Sequence, residues 1–166
     1  NSTHNTHTQT THTPPQLLNE MMKVKNLADA IAISDQPRVV TLPEPPYCIV
    51  HTNRAWSELT GFKFAEIAHK SNRILQGPAT ERNDLRKLSD AISSEQNCVV
   101  RLLNYDREGI AFYNTIECWP RRDALGVVPH YFAVLSGERL PEGASVPRLQ
   151  REDFPEPAPM ASDDEE

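Results

Sequence analysis

The residues in this chain that could do chemistry are few, and most lack the spacing that chemistry needs. There is no GxSxG, no HExxH, no P-loop and no dinucleotide glycine pattern, and six scattered glycines are too few for phosphate-cradling loops. His51, His69 and His130 lie far apart and read as surface or strand histidines rather than general bases. No nucleophile is paired with a base, so no enzymatic activity is expected. Cys48, Cys98 and Cys118 are odd in number, widely spaced and without a CxxC, which argues for free core thiols rather than a disulfide framework or a zinc site. The strongest remaining signal is a set of carboxamides and one arginine beside apolar residues. Strand alternation puts Val100, Leu102 and Asn104 on one face of a hairpin strand, and Asn114, Ile116 and Cys118 on one face of the next. A buried carboxamide left unpaired costs about 1–3 kcal/mol. A planar heterocycle with alternating donors and acceptors would satisfy the two asparagines, and so would nearby backbone at the hairpin end.

The elements that must position these residues follow from periodicity and punctuation. Leu17, Leu18, Met21, Met22, Val24 and Leu27 recur at helical spacing and predict a flanking amphipathic helix over 17–28. Ala30 to Ser34 is short and apolar and predicts a buried strand, followed by a proline-broken loop and a second strand at Tyr47–His51. Asn53 can cap a helix over Arg54–Leu59 that Gly61 stops, and short helical turns follow at Phe64–Ala68 and Asn72–Gln76. Leu85, Leu88, Ala91 and Ile92 form the stripe of the longest body helix, Glu81–Ser93. Cys98–Tyr105, the turn Asp106–Gly109 and Ile110–Trp119 make a hairpin, and His130–Leu135 is a last strand. Strands before and after a central group of helices give an α+β fold.

Around this body, over 29–138, the composition changes. Residues 1–16 are nearly all Thr, His, Asn, Ser and Pro, too polar to offset the entropy of ordering, and are expected to be disordered; His4, His7 and His12 in such a tract make a weak metal site. Residues 139–166 read as a proline-rich, acidic, disordered tail. Positions 141–166 hold 8 acidic and 2 basic residues, which accounts for the whole net charge of −6. The neutral body argues against a nucleic-acid surface. No apolar run is long enough to cross a membrane and the start does not resemble a signal peptide, so a soluble intracellular protein of the cytoplasm or nucleus is expected. The chain starts on Asn1 rather than Met, as expected of a piece of a longer protein.

The segments Trp56-Ser-Glu-Leu-Thr-Gly61, Asn72-Arg-Ile-Leu-Gln-Gly-Pro78, Arg101-Leu-Leu-Asn-Tyr105 and Ile110-Ala-Phe-Tyr-Asn114 occur in that order. Together they resemble the light-oxygen-voltage (LOV) subfamily of PAS domains from about Ala30 to Ser136. The resemblance implies a PAS fold, a five-stranded antiparallel sheet with short helices on one face, and flavin mononucleotide (FMN) between them. It implies further that Asn104 and Asn114 bond the pyrimidine edge of the flavin, that Gln76 lies along its flank and that Arg73 pairs with the phosphate, roles that suit carboxamides and a guanidinium fork.

The same resemblance exposes departures. Where the family has Gly-Arg-Asn-Cys-Arg-Phe-Leu-Gln, this chain has His69-Lys-Ser-Asn-Arg-Ile-Leu-Gln76, so Asn72 stands at the cysteine that forms the family's photoadduct. An amide has no thiol to add, and the adduct photocycle is expected to be absent. Ser71, Ser89, Ser136 and Ala30 stand at the neighbouring asparagine, the second phosphate arginine, the signalling glutamine and a ring-side asparagine. One missing phosphate arginine removes about 1.5–3 kcal/mol, so FMN would be held more weakly or lost. The expected function is a sensory or protein-interaction module that docks a signalling partner or a second copy of itself. The alternative is an FMN photoreceptor that works by flavin photoreduction, with Trp56, Tyr113 or Trp119 as electron donor.

Overall fold

The computed structural model describes residues 24–151. Five strands, β1 (Arg38–Thr41), β2 (Ile49–Thr52), β3 (Cys98–Tyr105), β4 (Ala111–Arg121) and β5 (His130–Arg139), form one antiparallel sheet in the order β2-β1-β5-β4-β3. Between β2 and β3 come α2 (Arg54–Thr60), α3 (Phe64–Ile67), a 3₁₀ turn (Asn72–Leu75) and α4 (Arg82–Ser93), and a short α1 (Leu27–Ile31) precedes β1. This is the expected α+β fold. Among the described residues no helix is long and apolar enough to cross a membrane.

Local rules build the helical side. Asn53 Oδ1 accepts from Trp56 N at 3.0 Å to cap α2 and also from Arg38 N at 2.9 Å, so one side chain ties the helix to β1. Gly61 ends α2 in the left-handed conformation. Inside the sheet, Val39, Ile49 and Leu135 pack with Trp56, Phe62, Ile67 and Leu75 from the helices. On the outside, Val24 and Ala30 close over Val40, Trp119, Phe132 and Val134.

The start of the domain differs from expectation. Ala30–Ser34 is not a strand: Asn26 Oδ1 accepts from Asp29 N at 2.9 Å and starts α1, and Ile33 beyond it is fully exposed. The first strand is instead Arg38–Thr41, because the β-branched Val39-Val40-Thr41 finds partners on both β2 and β5. The helix expected over 17–28 lies outside the described residues up to 23, and 24–26 precede α1 rather than continue into it. Ala30 belongs to the outer cluster and so cannot be the ring-side residue; Val39 and Thr41 face inward on β1.

The tail differs too. β5 runs on to Arg139, and within the tail expected to be disordered over 139–166, residues 148–151 lie against the β3–β4 turn. Leu149 N donates to Gly109 O at 2.9 Å. Arg151 donates to Tyr105 O at 2.7 Å, Asp106 O at 2.7 Å and Ile74 O at 2.8 Å. The expected tails 1–16 and 152–166 lie outside the described residues.

Candidate functional site

α4 is amphipathic, yet none of its residues is fully buried. The cause is what lies beneath it: Leu85, Leu88 and Ile92 face the sheet across a cavity of about 530 Å³. The 3₁₀ turn forms a second wall with Asn72, Arg73, Leu75 and Gln76, and Leu102, Asn104, Ile116, Cys118 and Leu135 form the floor. A half-covered apolar stripe over a space of this size has the dimensions of a small-molecule site.

The polar groups of the site sit at one end of an otherwise apolar floor. Asn104 and Asn114 are both buried, and Asn114 Nδ2 donates to Asn104 Oδ1 at 2.9 Å. Asn104 Nδ2 reaches only the adjacent Leu103 O at 3.3 Å. Asn114 Oδ1 is buried with no partner. The pair therefore keeps one spare acceptor and one weakly used donor, a pattern that matches the edge of a heterocycle carrying an N–H beside a carbonyl. Asn114 itself stands behind the cavity lining, bonded to Asn104, which lines it.

Every charged residue of the lining is an arginine. Arg73 from the turn and Arg82 and Arg86 from α4 stand exposed at the rim. Three guanidinium groups with no carboxylate among the lining residues suit an anion such as a phosphate. Sequence reasoning missed Arg82 and Arg86 and looked to Ser89, one turn further on. Their spacing of four on a helix whose other stripe was already recognised would have placed both on one face.

The turn is braced from both sides. Ser71 Oγ accepts from Arg73 N at 3.3 Å, and Arg151 holds the Ile74 carbonyl. Next to Gln76, Gly77 lies so close to Tyr105 that a Cβ there would run into its ring. Tyr131 donates its hydroxyl to Ile92 O at 2.7 Å and pins the end of α4 to β5. His51 on β2 is outside the lining, and burial pushes its pKa down.

Ser136 does not face the cavity. It is exposed and pairs with Thr115, so it points to the outer face, and Leu135, paired with Ile116, is the inward residue at that level. A one-residue slip changes the face of a strand residue. Of the three aromatic candidates for electron donor, Trp56 is on the cavity side, packed with Leu75 and Leu135. Trp119 belongs to the outer cluster, and Tyr113 lies under the Arg101 guanidinium at 3.8 Å.

No family model matches the chain. Individual proteins do. Over 104 residues it is 36% identical to "Blue-light-activated histidine kinase 1" of Erythrobacter litoralis, covering 62% of this chain and 27% of the kinase. Over 116 residues it is 33% identical to "Phototropin-1A" of Oryza sativa subsp. japonica, covering 69% of this chain and 13% of the phototropin. The chain thus spans about a quarter or less of the length of these relatives. Among solved structures, the light state of the blue-light photoreceptor Aureochrome1 LOV superposes with a TM-score of 0.60 at 31% identity, covering 70% of this chain and 91% of that one.

Proposed function

This chain belongs to the light-oxygen-voltage family of PAS-fold domains, and on that premise we propose that it is a sensory module whose cavity holds FMN and which works without a cysteinyl adduct. The observation that carries the reading is the buried asparagine pair: Asn104 lines an arginine-rimmed cavity, and directly behind it Asn114, bonded to Asn104, keeps an unpartnered Oδ1. A buried acceptor without a donor costs about 1–3 kcal/mol, which a bound ligand with an N–H at that point recovers.

Asn104 and Asn114 would hold the pyrimidine edge of the flavin, Gln76 its flank, and Arg73 its phosphate. Arg82 and Arg86 supply positive charge at the rim where Ser89 has none. When bound, the flavin supplies blue-light absorption and one-electron chemistry. Asn72 lines the wall at the position of the family's cysteine, and its amide neither adds to a ring nor ionises. Cys118 is also a lining residue, but it lies four residues from Asn114 along β4, about 13 Å. Burial pushes its thiol up to about 12, and a neutral thiol is a poor nucleophile. Of Trp56, Tyr113 and Trp119, Trp56 is the one on the inner side of the sheet and would be the donor to a bound flavin, with Tyr47 and Tyr131 in the cavity lining itself. Signalling would then pass to a partner protein or second copy of the chain.

The test is a titration with two ligands. FMN should bind more tightly than riboflavin, which lacks the phosphate, by about one to two decades, the worth of about 1.5–3 kcal/mol. Arg73→Ala should shrink that gap and leave riboflavin affinity unchanged. Equal affinity for both ligands would remove the phosphate role of the rim arginines, and no binding of either would remove the flavin and leave an interaction module with the same fold.

A further inference from the structure

The sheet register sets two of the three cysteines directly opposite one another. Cys98 begins β3, and its Cα partner on β4 is Cys118. Opposed residues of antiparallel strands point to the same face with Cα atoms about 4.5–5.5 Å apart, within the roughly 4.4–6.8 Å that a disulfide bridges. Both are free thiols. Cys48 stands beside β2 at the opposite edge of the sheet, with its Sγ 3.4 Å from His69 O.

The two thiols differ in access. Cys118 is buried and lines the far end of the cavity floor. Cys98 is only half-buried, where the chain leaves α4 and enters β3. Lys87 on α4 is the cation near enough to Cys98 to favour its thiolate, against the burial that raises its pKa. An oxidant from solvent therefore meets Cys98 first, and Cys118 is the thiol within reach to complete a bridge.

We infer that Cys98 and Cys118 form a dithiol site that a small-molecule disulfide, of the class of oxidised glutathione, converts to a cross-strand disulfide. The Cys98 thiolate attacks one sulfur of the small disulfide. That S–S bond breaks, one small thiol leaves carrying the proton that Cys98 gave up, and Cys98 holds a mixed disulfide. Cys118, which burial keeps protonated, is held directly against the Cys98 sulfur; it attacks that sulfur as its proton passes to the departing small thiolate, and the second small thiol leaves. The protein loses two electrons and two protons, and the oxidant gains both. The bridge ties the α4–β3 junction to the cavity floor, so the thiol state of the pair reaches the cavity wall. This site does not depend on whether a flavin is bound.

The experiment treats the folded full chain with excess oxidised glutathione, blocks remaining thiols with iodoacetamide, and maps tryptic peptides without reductant. Cleavage after Lys87, Arg101, Arg107 and Arg121 puts Cys98 and Cys118 on different peptides, and Cys48 on a third. A peptide 88–101 linked to 108–121, lost on adding dithiothreitol, is the expected result. In Cys118→Ser, Cys98 should retain glutathione; in Cys98→Ser, Cys118 should stay unmodified. Cys98 and Cys118 both alkylated after oxidation, or glutathione on Cys118 in Cys98→Ser, would overturn the inference.

Discussion

The two faces of this sheet are finished by different means. On the outer face, Val24 and Ala30 of the chain's own N-terminal segment close the cluster, and the Trp119 and Phe132 rings meet edge to face at 6.3 Å. On the inner face, the longest helix covers a cavity instead of burying its stripe, and a carboxamide acceptor is left over. The first face is packed for stability and needs nothing from outside. The second is short of matter and of one hydrogen-bond donor, which is the condition of a site that a ligand completes.

The largest expected effect breaks the outer face. Trp119→Ala, in the outer cluster and outside the cavity lining, should cost about 3–5 kcal/mol in urea unfolding, and the folded fraction should retain its FMN affinity. A large loss of affinity with little loss of stability would merge the two faces into one functional unit.

Next comes the inner face. Replacing Asn104 and Asn114 together by Leu removes donor and acceptor alike, so the flavin-free protein should be as stable as before or more so. FMN affinity should fall by about 1–3 kcal/mol, roughly 5- to 150-fold. Opposite movements of stability and affinity sharpen the contrast between faces; a joint fall in both would show that the asparagine pair is structural.

The smallest effect belongs to neither face. Arg107 bonds Glu66 at 2.9 Å between the hairpin turn and α3. Burial alone would raise the Glu66 pKa, but the Lys63 backbone N–H and the Arg107 guanidinium outweigh it and hold the carboxyl below its usual 4.5. The contribution to stability is therefore present above pH 4.5 and lost as pH falls through the depressed value. Glu66→Gln should flatten that acid limb of the urea midpoint by about 1 kcal/mol or less, with FMN affinity at neutral pH unchanged.

What could be read from the sequence was what local rules control. The Asn53 cap, the stop at Gly61, the β3–β4 hairpin and the shared face of Asn104 and Asn114 each depend on residues a few positions apart. What escaped depends on distant partners. β1 has only four residues, and its pairing with β5 gives it an identity that its own pattern lacks. Leu135 rather than Ser136 faces inward because register, not motif order, sets the face. Arg151 satisfies three carbonyls from two separate loops, a contact that no local pattern in a proline-rich segment announces.

The most direct test of the central claim is the visible absorption spectrum of the chain purified from flavin-supplemented cells, recorded before and after blue illumination. The expected result is a bound oxidised-flavin band that light bleaches only toward reduced flavin and that molecular oxygen restores. Absence of any bound flavin, or conversion to the blue-shifted band of a thiol adduct, would contradict it.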